Sequence, residues 1–296
     1  MDTPAPEIVI VPVDGRDAVV ADVYARPGDG ARAVVLCHGF KGYRRWGFIP
    51  HLARRFAGAG ITAVALDFSH NGRVPADAGR GGWTDGGAAG MFTSPERFRR
   101  DTLAREARDL AAVIAWLRAG GAAALAGEAA LGLWGHSQGG VIALLAALDD
   151  PAIAAVATWS TPAHPDHYTA RQKRVWREEG ALAFADHETG TALALGIEFL
   201  DDLERRHDHY AVAERAGALR APHLIVHGER DLAVPVGDAA RFCDVPSAVA
   251  DKKCLRLVTG HTFGWDAATE PGEALRRAAD ATVHWFDTYL GGKRTP

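Results

Sequence analysis

The sequence predicts an α/β architecture: a mostly parallel central sheet with helices on both faces and a helical insertion over one end. Three observations carry that expectation. Short continuous apolar runs such as Ala33–Cys37, Ile61–Phe68 and Ala129–Trp134 alternate with helically spaced segments, the pattern of strands buried on both faces. The alternation stops after Trp159 and resumes only near Pro222, which marks an inserted segment. One apolar run also ends in Gly135-His136-Ser137-Gln138-Gly139 and passes at once into an apolar helical stretch, the strand–turn–helix setting of an exposed nucleophile.

Bulk properties narrow the function classes. The 296 residues are 48% hydrophobic and 24% charged, enough for a large core in a soluble chain. A formal net charge of −4 gives no basic footprint for nucleic acid or an anionic membrane. Three cysteines, Cys37, Cys243 and Cys254, are too few and scattered for a disulfide framework. Cys37 and Cys254 lie in apolar runs and read as small buried hydrophobes. Met1–Glu7 has two acids and two prolines but no basic or apolar leader region, and no later segment is long enough to span a bilayer. The expected location is therefore cytoplasmic. The oligomeric state is not set by any of these features.

In chain order, Ile8–Val13 and Ala18–Ala25 read as antiparallel strands around Asp14-Gly15-Arg16. Pro27–Gly30 is a loop, and Ala33–Cys37 is a buried strand running into His38-Gly39-Phe40-Lys41-Gly42. Trp46–Gly58 has helical spacing through Phe48, Leu52 and Phe56 and stops at glycine. After the strand Ile61–Phe68, the stretch Ser69–Met91 is glycine-dense between 79 and 90 and reads as an irregular loop. One long helix is expected over Pro95–Leu117, with Ser94 as its cap and Pro95 in its first turn. The Ser137 turn leads into a helix bearing Val141, Ile142, Leu144, Leu145 and Leu148, then the strand Ile153–Trp159.

Residues 162–219 hold no convincing strand and read as helices over Arg171–Glu179, Thr191–Arg206 and Tyr210–Ala216. The strands Pro222–His227 and Lys253–Val258 resume the pattern, with a helix near Val236–Phe242 between them. A last amphipathic helix carries Leu275, Ala279, Val283, Phe286 and Leu290. The expected organisation is thus a core of residues 1–161 and 220–296 with a helical lid at 162–219.

Serine needs a base to act as a nucleophile, and the base needs an orienting acid. In a parallel sheet such groups gather in loops after the strands. Two later strand-end loops supply them: His227-Gly228-Glu229-Arg230-Asp231 and Thr259-Gly260-His261. Ser137, Asp231 and His261 then stand in the order serine, acid, histidine. The forming oxyanion needs two fixed donors. The N–H of Gln138 and the N–H of Phe40, in the loop after an earlier strand, are the candidates. His38 reads as a structural residue that packs and hydrogen-bonds that loop.

With these residues in place the chain resembles the α/β-hydrolase superfamily over nearly its whole length. The segments H-G-F-K-G at 38–42, D-F-S-H-N-G at 67–72, G-H-S-Q-G-G at 135–140, G-E-R-D at 228–231 and G-H at 260–261 are similar to bacterial cinnamoyl/feruloyl-esterase-like and dienelactone-hydrolase-like members. The resemblance implies a lid inserted between the sixth and seventh strands. The glycine-rich stretch at 79–90 is looser than the family pattern.

Other candidates fare less well. His164-Pro165-Asp166-His167 and His207-Asp208-His209 lack a metal-ligand spacing and read as surface histidines, so no metal is expected. Gly28–Ala33 imitates a dinucleotide fingerprint but precedes its strand. Asp166, Asp186, Asp201 and Asp202 lie in the insertion and read as solvated charges; Asp238 and Asp244 are weaker alternatives to Asp231. Trp159, Tyr168, Trp176, Phe184 and Phe199 are candidates to line an acyl or aryl pocket. The expected function is hydrolysis of carboxylic esters through an acyl-enzyme, without cofactor, on a small-molecule ester or acyl substrate. Thioesterase, peptidase or perhydrolase chemistry on the same triad, and a receptor that does not turn over, are the alternatives.

Overall fold

Continuous apolar runs become strands of one eight-stranded sheet in the computed structural model, which describes residues 5–15, 17–26, 31–73, 92–122, 129–186, 190–246 and 251–291. The strands are β1 (Glu7–Asp14), β2 (Asp17–Tyr24), β3 (Arg32–Cys37), β4 (Thr62–Asp67), β5 (Ala130–His136), β6 (Ile153–Trp159), β9 (His223–Gly228) and β10 (Lys252–Leu257). Their order is β1-β2-β4-β3-β5-β6-β9-β10. The β1–β2 and β2–β4 pairs are antiparallel and all the others parallel. The chain steps from β3 to β4 on one side and returns to β5 on the other, so β3 and β5 sit side by side at the switch point. Ligand crevices in open α/β sheets form at such points.

The helices are α1 (Ile49–Gly58), α2 (Pro95–Arg99), α3 (Leu103–Arg118), α4 (Gln138–Asp149), α5 (Ala170–Glu179), α6 (Ile197–Arg205), α7 (Val212–Arg215), α8 (Val236–Asp244) and α9 (Glu273–Leu290). Apolar residues of α1 and α9, among them Leu52, Phe56, Leu275 and Phe286, share one core cluster with Val34, Trp134 and Trp159 of the sheet. Residues of α3, α4 and α8 pack in a second cluster, together with Trp176, Leu193, Leu195, Phe199 and Leu200 of the insertion. Among the described residues no helix is long and apolar enough to cross a membrane.

Several expectations are corrected. The long helix over Pro95–Leu117 is two helices. Thr102 adopts an extended conformation and its side chain accepts the Arg105 N–H, capping α3. The Thr102 N–H is taken by buried Asp101, so the chain stops and restarts there. Ser94 makes no side-chain cap bond. The insertion is not wholly helical: β7 (Ala181–Ala185) and β8 (Ala192–Gly196) form an antiparallel hairpin. Ala-Leu-Ala-Leu has good helix propensity, but Leu193 and Leu195 are both buried, and a period of two satisfies them. Cys254 is exposed and disulfide-bonded to Cys243; only Cys37 is a buried free thiol among the described residues. Asp186 and Asp202 are buried, not solvated. Asp186 pairs with Lys41 at 3.5 Å, and Asp202 accepts from the Tyr210 hydroxyl at 2.7 Å. The readings at Arg16, Pro27–Gly30 and 74–91, including the glycine-rich stretch at 79–90, fall outside the described residues.

Candidate active site

The strand β5 ends at His136, and Ser137 turns the chain sharply, with φ 53° and ψ −125°, into α4. No room exists for side chains on either side of it. A Cβ on Gly135 would lie 2.2 Å from the Gly139 oxygen, and one on Gly139 would lie 2.3 Å from the His38 oxygen. Four non-glycine residues among those described have positive φ: Lys41, Ser137, Ser160 and Phe263. They lie in the loops after β3, β5, β6 and β10, so the strained backbone of the described chain collects at one end of the sheet.

Two of those strand ends present the other side chains. The Asp231 side chain is fully enclosed, and its Oδ2 accepts the Nδ1–H of His261 at 2.8 Å. Its Oδ1 accepts the backbone N–H groups of Ala233 and Val234, each at 2.9 Å. Burial alone would raise this carboxyl, but the hydrogen bonds from His261 and Val234 outweigh it and hold the group down at about 2. A charged Asp231 fixes the proton of His261 on Nδ1, which leaves Nε2 free as a base. The His261 loop is tied from below: the ring of His136 lies 4.6 Å from that of His261, and its Nε2–H donates to the His261 carbonyl at 3.1 Å. Burial keeps His136 neutral, lowered to about 3.

Cys37 pairs with Gly135 in register, so the loop after β3 runs beside the Ser137 turn. A Cβ on Gly39 would come within 2.9 Å of Ser137 Cβ; the missing side chain allows that approach. Among the described residues, the N–H groups of Phe40 and Gln138 have no hydrogen-bond acceptor. They are two free donors on the two loops that meet at Ser137. The Phe40 loop is anchored in depth. His38 donates Nδ1–H to the Gly39 carbonyl at 2.9 Å and accepts the Phe68 N–H on Nε2 at 3.3 Å. Burial lowers it to about 4, so it stays neutral. Arg44 bonds to Asp67 through its backbone N–H at 2.7 Å and through its guanidinium, which also reaches Asp22 at 2.9 Å.

Ser137 and His261 share the wall of a cavity of about 300 Å³. Of the aromatic candidates, Tyr168 and Phe184 line it and the other three do not. Trp159 lies beneath the sheet, between Phe48, Trp134 and Phe263, with its Nε1–H on Thr282 at 2.9 Å. Trp176 and Phe199 stack on each other inside the insertion, where Trp176 Nε1–H donates to the Gly196 carbonyl at 3.0 Å. Sequence reasoning missed Pro162, His164, Pro165, His167 and Asp238 in the wall. The first four follow β6 directly, so the rule that functional groups collect after strand ends could have found them. Asp238 closes the same corner by accepting the Ala163 N–H at 3.0 Å. Among the described residues no group of three His, Cys, Asp or Glu is placed to hold a metal ion.

The side chain of Gln138 makes a contact that sequence reasoning also missed. Its Nε2 donates to both oxygens of Glu106, at 2.9 and 3.0 Å. Glu106 belongs to a buried acidic group with Asp101 and Asp109. Desolvation, with the like charge of Asp109, pushes Glu106 up to about 8.

No curated protein matches the chain by sequence. Solved structures with the same fold are numerous. The ferulic acid complex of Est1E from Butyrivibrio proteoclasticus aligns with a TM-score of 0.66 at 19% identity, over 96% of this chain and 99% of that one. Dienelactone hydrolase from Anabaena variabilis ATCC 29413 gives 0.60 at 19% identity, covering 98% and 100%. A monoacylglycerol lipase from Paleococcus ferrophilus gives 0.63 at 19% identity, covering 92% and 99%. Likeness at such identities concerns the fold. The sequence model of the alpha/beta hydrolase family matches residues 34–289, and the chain belongs to that family.

Proposed function

We propose that the chain is a serine hydrolase that cleaves carboxylic esters through an acyl-enzyme intermediate. The observation that carries this reading is the Asp231–His261 bond of 2.8 Å, set in the same cavity wall as a serine held at positive φ. In the proposed reaction Ser137 Oγ attacks the acyl carbonyl while His261 Nε2 takes its proton. The carbonyl oxygen, now an anion, accepts from the N–H groups of Phe40 and Gln138. Asp231 stabilises the imidazolium, which returns its proton to the leaving alcohol as the C–O bond breaks. Water then repeats the sequence: it gives a proton to His261, attacks the acyl carbon, and releases the acid as Ser137 recovers the proton.

Ester chemistry is favoured by the company the fold keeps: Est1E was solved with ferulic acid, and a lipase and an esterase domain from Rhodothermus marinus share the architecture. A cavity of about 300 Å³ with Phe40, Pro162, Pro165, Tyr168 and Phe184 in its wall suits a compact, largely apolar acyl group.

A fluorophosphonate should label Ser137 and block turnover of p-nitrophenyl butyrate. Ser137→Ala should lose about 10³- to 10⁶-fold in kcat/KM while its thermal unfolding stays that of the parent. Near-normal esterase activity in that variant would refute the assignment. Turnover confined to thioesters, peptides or peracid formation would move the chemistry to that acceptor. Rates no better than uncatalysed hydrolysis across a broad panel would instead indicate a receptor.

A further inference from the structure

The side chain of Gln138 takes no part in the steps above, although its backbone does. Its amide nitrogen donates to Glu106, with both carboxyl oxygens within hydrogen-bond distance. Glu106 is in turn hydrogen-bonded to the carboxyl of Asp101, and both are buried. Two buried carboxyls in contact cannot both ionise, so the pair keeps a proton between them at neutral pH. With that proton engaged, lone pairs remain to meet Gln138, which must turn its NH₂ toward Glu106. The amide orientation is therefore fixed chemically.

The consequence falls on the other end of the amide. Gln138 Oε1 has no partner among the described residues yet is not sealed from solvent, and Gln138 is one of the residues that line the 300 Å³ cavity. The same residue offers its backbone N–H to the carbonyl oxygen in the proposed reaction. Gln138 follows Ser137 directly and borders the same cavity, which places this acceptor beside the serine at which the acyl group would be held. A fixed acceptor there discriminates for a donor on the substrate, because a matching O–H or N–H satisfies it and an apolar group displaces its water without return.

We propose that Gln138 Oε1 is a specificity-determining acceptor, held in place by Glu106, and that the preferred esters carry a hydroxyl or N–H donor next to the scissile carbonyl, as in 2-hydroxyacyl and 2-acylaminoacyl groups. This rests on the serine esterase reading. Glu106 acts only through Gln138 and is a positioning residue.

The test compares kcat/KM for phenyl 2-hydroxypropanoate and phenyl propanoate, each divided by its rate of hydroxide hydrolysis to remove intrinsic reactivity. The parent protein should favour the hydroxy ester about 10- to 100-fold. Gln138→Leu should bring that ratio to about one whatever its absolute rate. Glu106→Gln, whose new amide can offer N–H to Gln138 Oε1 and reverse the amide, should lower the ratio at least tenfold. A ratio near one in the parent, or a ratio that survives in Gln138→Leu, overturns the proposal. Fluorophosphonate labelling of Ser137 separates the two layers. A labelled parent without the preference overturns this inference alone, and a parent that neither labels nor hydrolyses either ester overturns both.

Discussion

Asp231 and Glu106 are both buried, 7% and 3% exposed, and they reach the Ser137 turn by different routes, one through His261 and the other through Gln138. Asp231 has three donors: two backbone N–H groups and the His261 Nδ1–H. Glu106 has one amide and shares its enclosure with Asp101 and Asp109. Burial pushes both carboxyls up, yet Asp231 ends near 2 and Glu106 near 8. At Asp231 the donors and the neighbouring His261 overcome burial, whereas at Glu106 deeper burial and the like charge of Asp109 prevail. The outcome suits each place. In the proposed reaction a fixed negative charge behind His261 favours the imidazolium, whereas a carboxylate behind Gln138 would repel an oxyanion held at that residue's N–H.

Removing the charge on the His261 side should give the largest effect. Asp231→Asn keeps the shape but can donate to Nδ1, which moves the imidazole proton to Nε2 and blunts the base. A loss of about 10⁴-fold in kcat is expected, by analogy with the same change in a serine protease triad, measured with p-nitrophenyl butyrate across pH. A loss under tenfold would mean that Asp231 is not the orienting acid and that the contrast with Glu106 has no catalytic content.

The two carboxyls should also give stability opposite dependences on pH. Asp231 titrates in the folded chain at about 2, below its ordinary 3.8. Its contribution is complete above 3.8 and is lost as the pH falls toward 2. Glu106 titrates at about 8, above its ordinary 4.5. Between those values the folded chain holds a proton that the unfolded chain has released, so stability falls as the pH rises. Buried His38 and His136, lowered to about 4 and about 3, add to the acid-side loss below about 6.5, where the unfolded chain protonates first. Urea unfolding from pH 5 to pH 9 should show a decline on the alkaline side on the order of a few kcal/mol. Glu106→Gln should make the decline shallower without abolishing it, because Asp101 and Asp109 are raised in the same direction by their burial and contribute the same sign. An unchanged slope in that variant would place the ionisation elsewhere.

The same two regions differ in how far the sequence discloses them. Ser137, Asp231 and His261 are legible because each follows its own apolar strand, and the glycines at 135 and 139 form a recognisable pattern around the turn, although only Gly135 is demanded by nearby backbone and Gly139 is demanded by the distant backbone of Cys37 and His38. Glu106 is not legible. It sits on α3 one turn from a second acid, Asp109, with no local feature to mark it, and only the break at Asp101–Thr102 and the packing of α3 on α4 turn it toward Gln138. The insertion shows the same limit: Leu193 and Leu195 suit a helix or a strand until β7 lies beside them. Trp159 ends a strand whose two faces look alike in sequence, so nothing local says that its ring points away from the cavity. What local stereochemistry dictates can be read in advance; what a distant neighbour dictates cannot.

A covalent difference separates the two sides as well. The acid loop leads into α8, which carries Cys243 in its last turn, and β10 leads into the His261 loop and carries Cys254. Their disulfide thus joins the elements that bear the two members of the Asp231–His261 pair, while the Glu106 side is held by packing and hydrogen bonds alone. A bond closing so short a loop restricts the unfolded chain by about 3 kcal/mol in the chain-entropy account. The double variant Cys243→Ser/Cys254→Ser, which leaves neither partner unpaired, should lose about that much in urea unfolding relative to the oxidised parent. Its kcat/KM should fall less than tenfold, because β9 and β10 remain paired from His223–Lys252 to Gly228–Leu257 and keep both loops in register. Should kcat/KM instead collapse toward the level of Asp231→Asn, the disulfide would have to be counted among the devices that align acid and base, and strand pairing alone would not be enough.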